Sequence, residues 1–368
     1  MKAWAGGLLL LAAGIVVSLC LAEFSLRIFH PQPLNILYVR PDGILAHVPG
    51  IDTELRAPET RARVRTNRDG LRDVERPREK PPGVARVLVL GDSMIEGLQV
   101  DLAETMPKRL QQFLSDAMPG RTIDVINAGV SGSSGPLALA WLEKDGFAWG
   151  PDILVVTFTA RNDIEEAAVA GEGKRARFYE LKVALRSRFH LYALAERAIN
   201  EQDLLRNALA FFGLVVPADP ARARPGTPGA VNQEAWHYDG TLEALEARGY
   251  NRLFASWDGT VSLCRARGIP VLFVLLPSYY QVTREARALG DPRLVAALVR
   301  NDREPQDRVL AFLQARGIPV VDLLPEARRR GKALYFQKDQ HFSVAGNTFA
   351  GQETATAILA RGWLSRPR

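Results

Sequence analysis

Five short, mostly apolar runs recur along the chain, Ala85–Leu90, Ile123–Ile126, Ile153–Phe158, Val271–Leu276 and Pro319–Leu323, and stretches of helical character lie between them, including Glu104–Met118, Gly135–Lys144 and Gly249–Ala266. A run without a polar side has nothing to turn toward water, so each reads as a strand covered on both faces. Strands that alternate with helices pair in parallel, because a parallel connection needs a crossover and a helix supplies it. The expected architecture is α/β, a doubly wound three-layer α/β/α sandwich. In such sheets the functional loops gather beyond the carboxyl ends of the strands.

The N-terminal end has a different character. After Lys2 no charge occurs from Ala3 to Ala22, and roughly 20 helical residues rising ~1.5 Å each cross roughly 30 Å of hydrocarbon. Residues 1–30 therefore read as a transmembrane anchor. A cleavable signal peptide is the rival, since such leaders also open with a cation before an apolar core. Against cleavage stand the length of the run and the lack of a convincing small-x-small site after it, and Leu19 before Cys20 makes a poor lipoprotein site. Lys2 and Arg27 flank the run on opposite sides, so the count of cations leaves its orientation nearly balanced.

Residues 31–83 are polar and rich in Pro and Arg, and hold Thr66-Asn67-Arg68-Asp69-Gly70-Leu71-Arg72, a turn with Gly70 free to take positive φ. This stretch reads as a connector packed on the main domain, which spans 84–368. The gap between the third and fourth strands is too long for one crossover and implies an insertion at about 165–248. There Glu165–Phe212 reads as charged helices and Pro217–Gly229 as a linker. A lid, a docking surface and plain decoration remain equal readings of it.

Composition narrows the function. With 47% apolar and 24% charged residues among 368, the chain can bury a large core. Its net charge of +6 comes from Arg scattered along the sequence rather than from one block. No nucleic-acid partner is expected, and a solvated basic surface is favoured over a dedicated anionic partner, whether lipid headgroups or acidic glycans. The two cysteines, Cys20 and Cys264, lie in segments too unlike to pair, which leaves the redox compartment undecided. No Cys/His cluster has metal-ligand spacing, so a structural zinc site is not expected.

Four blocks carry chemistry. Gly91-Asp92-Ser93 directly follows the first strand; a serine hydroxyl is a weak nucleophile that needs a nearby base and an exposed turn. Taken alone the tripeptide reads more readily as a polar helix cap than as a nucleophile. Asn127-Ala128-Gly129-Val130-Ser131-Gly132 follows the second strand and Arg161-Asn162-Asp163-Ile164 the third. The backbone N–H groups of Ser93 and Gly132 and the side-chain amide of Asn162 could together hold the oxyanion of acyl transfer, where each donor is worth about 3 to 4 kcal/mol. Lys338-Asp339-Gln340-His341-Phe342-Ser343 follows the last strand. His341 suits proton transfer near neutral pH, and an adjacent carboxylate can fix its tautomer. His30 and His47 in the connector, with His190 and His237 in the insertion, read as surface or packing residues.

In this order and on these elements, the blocks resemble the SGNH hydrolase superfamily, the GDSL-like esterases and lipases, over about Arg86–Leu359. The resemblance implies a flavodoxin-like sheet, no metal or organic cofactor, and ester chemistry. It assigns the catalytic roles to Ser93 and His341 and the oxyanion hole to Ser93, Gly132 and Asn162. Many members carry the acid three residues before the histidine, where this chain has Lys338; the assignment passes to Asp339. The third block departs as well, with Ala160-Arg161-Asn162-Asp163 in place of Gly-x-Asn-Asp, and Arg161 could tune an anionic substrate or simply point into solvent. Asp92 is read as structural. The apolar N-terminus followed by Thr-Asn-x-x-Gly-Leu-Arg is similar to SGNH proteins anchored in the bacterial inner membrane, with an extracytoplasmic catalytic domain. The expected substrate is an ester-bearing envelope glycan or lipid, such as an acetylated sugar. An O-acyltransferase working with a membrane protein partner, and a non-catalytic glycan-binding or complex subunit, are the alternatives.

Overall fold

The five apolar runs become the strands of one sheet. The structure is a computed structural model that describes residues 2–32, 34–160, 162–171, 178–200, 202, 208–209, 242–283 and 302–364. The linker at Pro217–Gly229, His237 and Arg161 lie outside the described residues. In chain order the strands are β1 (Leu37–Val39), β2 (Leu45–His47), β3 (Asp52–Arg56), β4 (Arg61–Arg65), β5 (Val84–Gly91), β6 (Thr122–Gly129), β7 (Ile153–Thr159), β8 (Val271–Leu276) and β9 (Val320–Asp322). The α-helices are α1 (Lys2–Phe29), α2 (Ser93–Glu96), α3 (Met106–Ala117), α4 (Gly135–Lys144), α5 (Asn162–Val169), α6 (Tyr179–Arg186), α7 (His190–Asn200), α8 (Leu242–Ala266), α9 (Tyr279–Thr283), α10 (Glu304–Ala315), α11 (Leu324–Arg330) and α12 (Val344–Ala360).

The main sheet runs β6-β5-β7-β8-β9 with every pair parallel. That is the flavodoxin-like order, in which the chain steps outward from its first strand and then crosses back over it, opening a crevice beside the carboxyl end of that strand. Alternation along β5 sorts the core. Val87 and Val89 face Met106, Leu110 and Phe349 of α3 and α12, while Leu88 and Leu90 face Leu142, Leu253 and Trp257 of α4 and α8. Both faces are buried and the three-layer expectation is met.

Two elements differ from the sequence reading for identifiable reasons. The connector contains two antiparallel strand pairs, β1 with β2 and β3 with β4. Arg61–Arg65 alternates long cations with Ala62 and Val64, so period two was present but masked by its charge; Ala62 and Val64 are buried and the arginines exposed. Helix α8 begins at Leu242 rather than at Gly249. Gly249 lies inside the helix because α5 packs so close that a Cβ there would strike the carbonyl oxygen of Ile164.

By its contacts the chain divides into two units, one from residues 1–36 and 174–226 and a larger one from 37–173 and 227–368. The smaller contains α1, α6 and α7. Within α1 the segment Gly6–Phe29 is long and apolar enough to cross a membrane, and none of it is buried. That is equally the mark of an anchor and of a signal sequence.

The larger unit holds the short helix α2 by close approach. A Cβ on Gly129, at the end of β6, would run into the backbone nitrogen of Glu96. Gly129→Ala is expected to displace α2 and to destabilise the protein by about 1 to 3 kcal/mol, the usual cost of overpacking. The check is the thermal midpoint of the detergent-solubilised protein, and an unchanged midpoint would show that α2 can retreat.

Candidate active site

A four-residue helix cannot sustain itself, since nucleating one turn costs more than it returns. Helix α2 is held from outside at both ends. Asp92 caps it, its Oδ1 accepting the Met94 N–H at 2.9 Å. At the other end Arg72, from the connector turn, donates to the carbonyls of Glu96 at 2.6 Å, Gly97 at 2.8 Å and Val100 at 2.6 Å. Burial lowers the pKa of Arg72 to about 10, which still leaves it charged at neutral pH. Asn67 braces that turn through its Oδ1, which accepts from Asp69 and Leu71.

Ser93 opens α2 at the carboxyl end of β5. Its Oγ lies 2.8 Å from His341 Nε2, and His341 Nδ1 lies 2.7 Å from Asp339 Oδ1. The two strand-end loops thus meet across 248 residues of chain. The His341 and Asp339 side chains remain 13% and 20% exposed, so the pair is screened from bulk water yet reachable. Burial opposes charge on His341, but the hydrogen bond and charge of Asp339, with Asp92 behind, outweigh it and hold the imidazole above its ordinary pKa. Burial likewise pushes Asp339 upward, and its bonds to His341 more than reverse this, leaving it below the ordinary carboxyl range.

Gln340 between them takes φ +68, a left-handed conformation rare for a residue with a side chain. The loop is held in that shape by neighbours: Phe336 N–H bonds to the His341 carbonyl and Gln340 N–H to that of Phe336, each at 3.0 Å. Glu59, at the tip of the β3–β4 hairpin, accepts the backbone N–H groups of Gln337, Lys338 and Asp339. Three successive amides on one carboxylate set the approach of Asp339.

The expected oxyanion donors divide. The N–H groups of Ser93 and Gly132 bond to nothing else among the described residues. Gly132 has φ +79, and its loop is tied to the end of β5 by the Val130 N–H on the Gly91 carbonyl at 3.0 Å. Asn162 is differently placed. Its Nδ2 lies 2.9 Å from Asp92 Oδ2 and 2.9 Å from Glu166 Oε1, so two carboxyl groups take both amide hydrogens. Burial and the nearby charge of Asp92 push Glu166 and Asp163 well above the ordinary carboxyl range.

Sequence reasoning missed the buried carboxylate of Glu96. Its Oε1 is 2.7 Å from His47 Nε2, and its Oε2 accepts both the N–H and the hydroxyl of Ser131, next to Gly132. His47 Nδ1 faces the Gly70 carbonyl at 3.0 Å, so both ring nitrogens lie against oxygens. The one local signal was a histidine in a connector with few other reasons to hold one. Among the described residues no group of three or more His, Cys, Asp or Glu side chains is arranged to hold a metal ion.

The family model of the SGNH hydrolase-like domain of the acetyltransferase AlgX matches residues 239–367, the part that contains Asp339 and His341. A search of curated proteins gives no match. Among solved structures, an acetylxylan esterase from Geobacillus stearothermophilus is similar at 14% identity, covering 76% of this chain and 96% of that one with a TM-score of 0.41. A lipolytic protein of the G-D-S-L family from Desulfitobacterium hafniense is similar at 12% identity, covering 74% and 99% with a TM-score of 0.38. A two-domain esterase active on acetylated mannans is similar at 12% identity, covering 75% and 49% with a TM-score of 0.35.

Removing the Glu59 carboxylate leaves three amides without their acceptor. In Glu59→Ala, hydrogen exchange at Gln337, Lys338 and Asp339 is expected to quicken about tenfold or more, the equivalent of ~1.4 kcal/mol, within the usual cost of a lost charged hydrogen bond. Unchanged protection would show that the loop holds itself.

Proposed function

We propose that this chain is a serine-dependent acyl-transfer enzyme, acting on an ester such as an O-acetyl group of an envelope glycan or lipid, and anchored by α1 in the bacterial inner membrane with its larger unit outside the cytoplasm. The observation that carries the reading is the continuous relay from Ser93 Oγ through His341 to Asp339 at 2.8 and 2.7 Å. These are the contacts a nucleophile, its base and the base's orienter need.

In the proposed reaction His341 Nε2 takes the Ser93 proton as Oγ bonds to the ester carbonyl carbon. Charge moves to the carbonyl oxygen, where the free N–H groups of Ser93 and Gly132 receive it. Asn162 joins them by exchanging one bond. Glu166, its pKa raised by burial and by the charge of Asp92, offers a neutral acceptor, which yields to a full oxyanion more readily than the Asp92 carboxylate does. The C–O bond of the ester then breaks, the alcohol leaves with the proton from His341, and an acyl-Ser93 remains. Water, activated by the same histidine, releases the acid.

A second reading keeps the acyl-enzyme and replaces water with a sugar hydroxyl. It is favoured by the family match over 239–367, whose description names an acetyltransferase. Acetyl transfer exceeding hydrolysis when oligosaccharide is added supports this version, and undiminished hydrolysis supports the first.

The test of both is a fluorophosphonate probe on the full-length, detergent-solubilised protein. Labelling is expected in the wild type and lost in Ser93→Ala and His341→Ala, each of which should lower ester turnover on the order of 10⁴-fold or more. Labelling that survives Ser93→Ala sinks the mechanism.

The pH dependence follows from the base. His341 accepts a proton only when neutral, so kcat/KM should rise with pH through an inflection above the ~6.5 of a free imidazole. Asp339→Asn removes the charge that raises it. The inflection should move down and kcat fall by about 10⁴; an inflection that stays in place would remove Asp339 from the role.

A further inference from the structure

Glu23 is an acid in the last turns of an apolar helix, and its partners fix the depth at which neighbouring helices sit. Counting from Gly6, roughly 20 residues at ~1.5 Å each exhaust roughly 30 Å of hydrocarbon near Ser25. Glu23 therefore falls at the hydrocarbon edge. There it pairs with Arg27 at 2.7 Å and accepts the N–H groups of His190 at 3.0 Å and Leu191 at 2.8 Å, the first two residues of α7. Arg27 Nη2 donates to the Arg188 carbonyl at 2.6 Å, and Gln32 N–H to His190 Nδ1 at 2.8 Å. These bonds hold the α6–α7 corner level with the end of α1.

The side chains around that corner are unusual for a surface in water. Phe178 and Leu181 are 59% and 58% exposed, and with Leu185 they follow the i, i+3, i+7 spacing of one helical face. Phe189 is exposed just before α7 and Leu194 within it, and Phe24, Ile28 and Phe29 at the end of α1. Lys182, Arg186 and Arg188 stand among them. Exposed Phe and Leu beside Lys and Arg, on helices too short and too charged to span, is the composition of segments that lie in a membrane interface.

We propose that α6 and α7 form a collar at the headgroup boundary of the bilayer that α1 spans, with Phe178, Leu181, Phe189 and Leu194 turned into the acyl region. The proposal rests on α1 being an uncleaved anchor. Three helices rather than one would then attach this unit to the bilayer and restrain its rotation about α1.

The test uses the full chain carrying Cys20→Ala and Cys264→Ala, with single spin labels at Leu181→Cys, Leu194→Cys or Val16→Cys, reconstituted in phosphatidylcholine–phosphatidylglycerol vesicles. All three labels are expected to collide more with dissolved oxygen than with a water-soluble nickel chelate, Val16 lying deepest. Oxygen exposure at Val16 with nickel exposure at Leu181 and Leu194 would place the collar in water and overturn it. Shielding of both collar labels from both reagents would mean that protein covers the face, which also overturns it. A mature protein whose mass lacks α1, or nickel exposure at Val16, defeats the anchor reading instead, and the collar with it.

Discussion

One buried carboxylate ties the candidate site to the part of the chain that precedes it. Glu96 belongs to α2, three residues after Ser93, and has no contact with water. An ion so placed costs several kcal/mol unless its lone pairs are all engaged. Here both oxygens are engaged, one by His47 of β2 and the other by the N–H and hydroxyl of Ser131 of the second loop. Because breaking any of these contacts would strand a charge, the connector, the Ser93 turn and the Gly132 loop have one mutual arrangement that satisfies Glu96. A buried ion pair of this kind is weak evidence for net stability, since desolvation offsets the attraction.

The same logic repeats at the other loops. A sheet alone delivers loops to its carboxyl edge without fixing them to a fraction of an ångström, which is what a proton relay needs. Arg72 fixes the exit of α2 by three carbonyls, and Glu59 fixes the entry of the Asp339 loop by three amides. Both residues come from the connector, so the segment least like an enzyme in composition supplies the preorganisation. The strained Gln340 fits this account, since a left-handed residue persists only where its surroundings over-determine it.

These braces explain which parts of the molecule were legible in the sequence. The sheet was, because buried parallel strands announce themselves locally, and Ile153–Phe158 or Val271–Leu276 needs no partner to be recognised. The blocks were, because turn residues mark strand ends. Glu96 and His47 were not: they lie 49 residues apart, and nothing near either one signals the other. The β3–β4 pair was hidden for a different reason, its alternation being written in arginine. Asn162 was legible as a donor, but not the two carboxyl groups that occupy its amide, since that pairing depends on how α5 meets the turn at Asp92.

Those carboxyl groups show how one environment assigns different states to the same chemistry. Glu96 and Asp339 are pulled below the ordinary range, and Glu166 and Asp163 are pushed well above it, although burial raises all four. The difference lies in the donors each one meets. Glu96 faces an imidazole, an amide and a hydroxyl, and Asp339 faces His341, whereas one oxygen each of Glu166 and Asp163 is buried with no partner, and both feel the charge of Asp92. Like charges in one dry space cannot all ionise, so protons stay where donors are few. The result is that His341 is backed by an acid held toward its ionised form on one side, while the amide of Asn162 leans on a carboxyl group pushed toward its neutral form on the other, a division that follows from hydrogen-bond supply rather than from residue type.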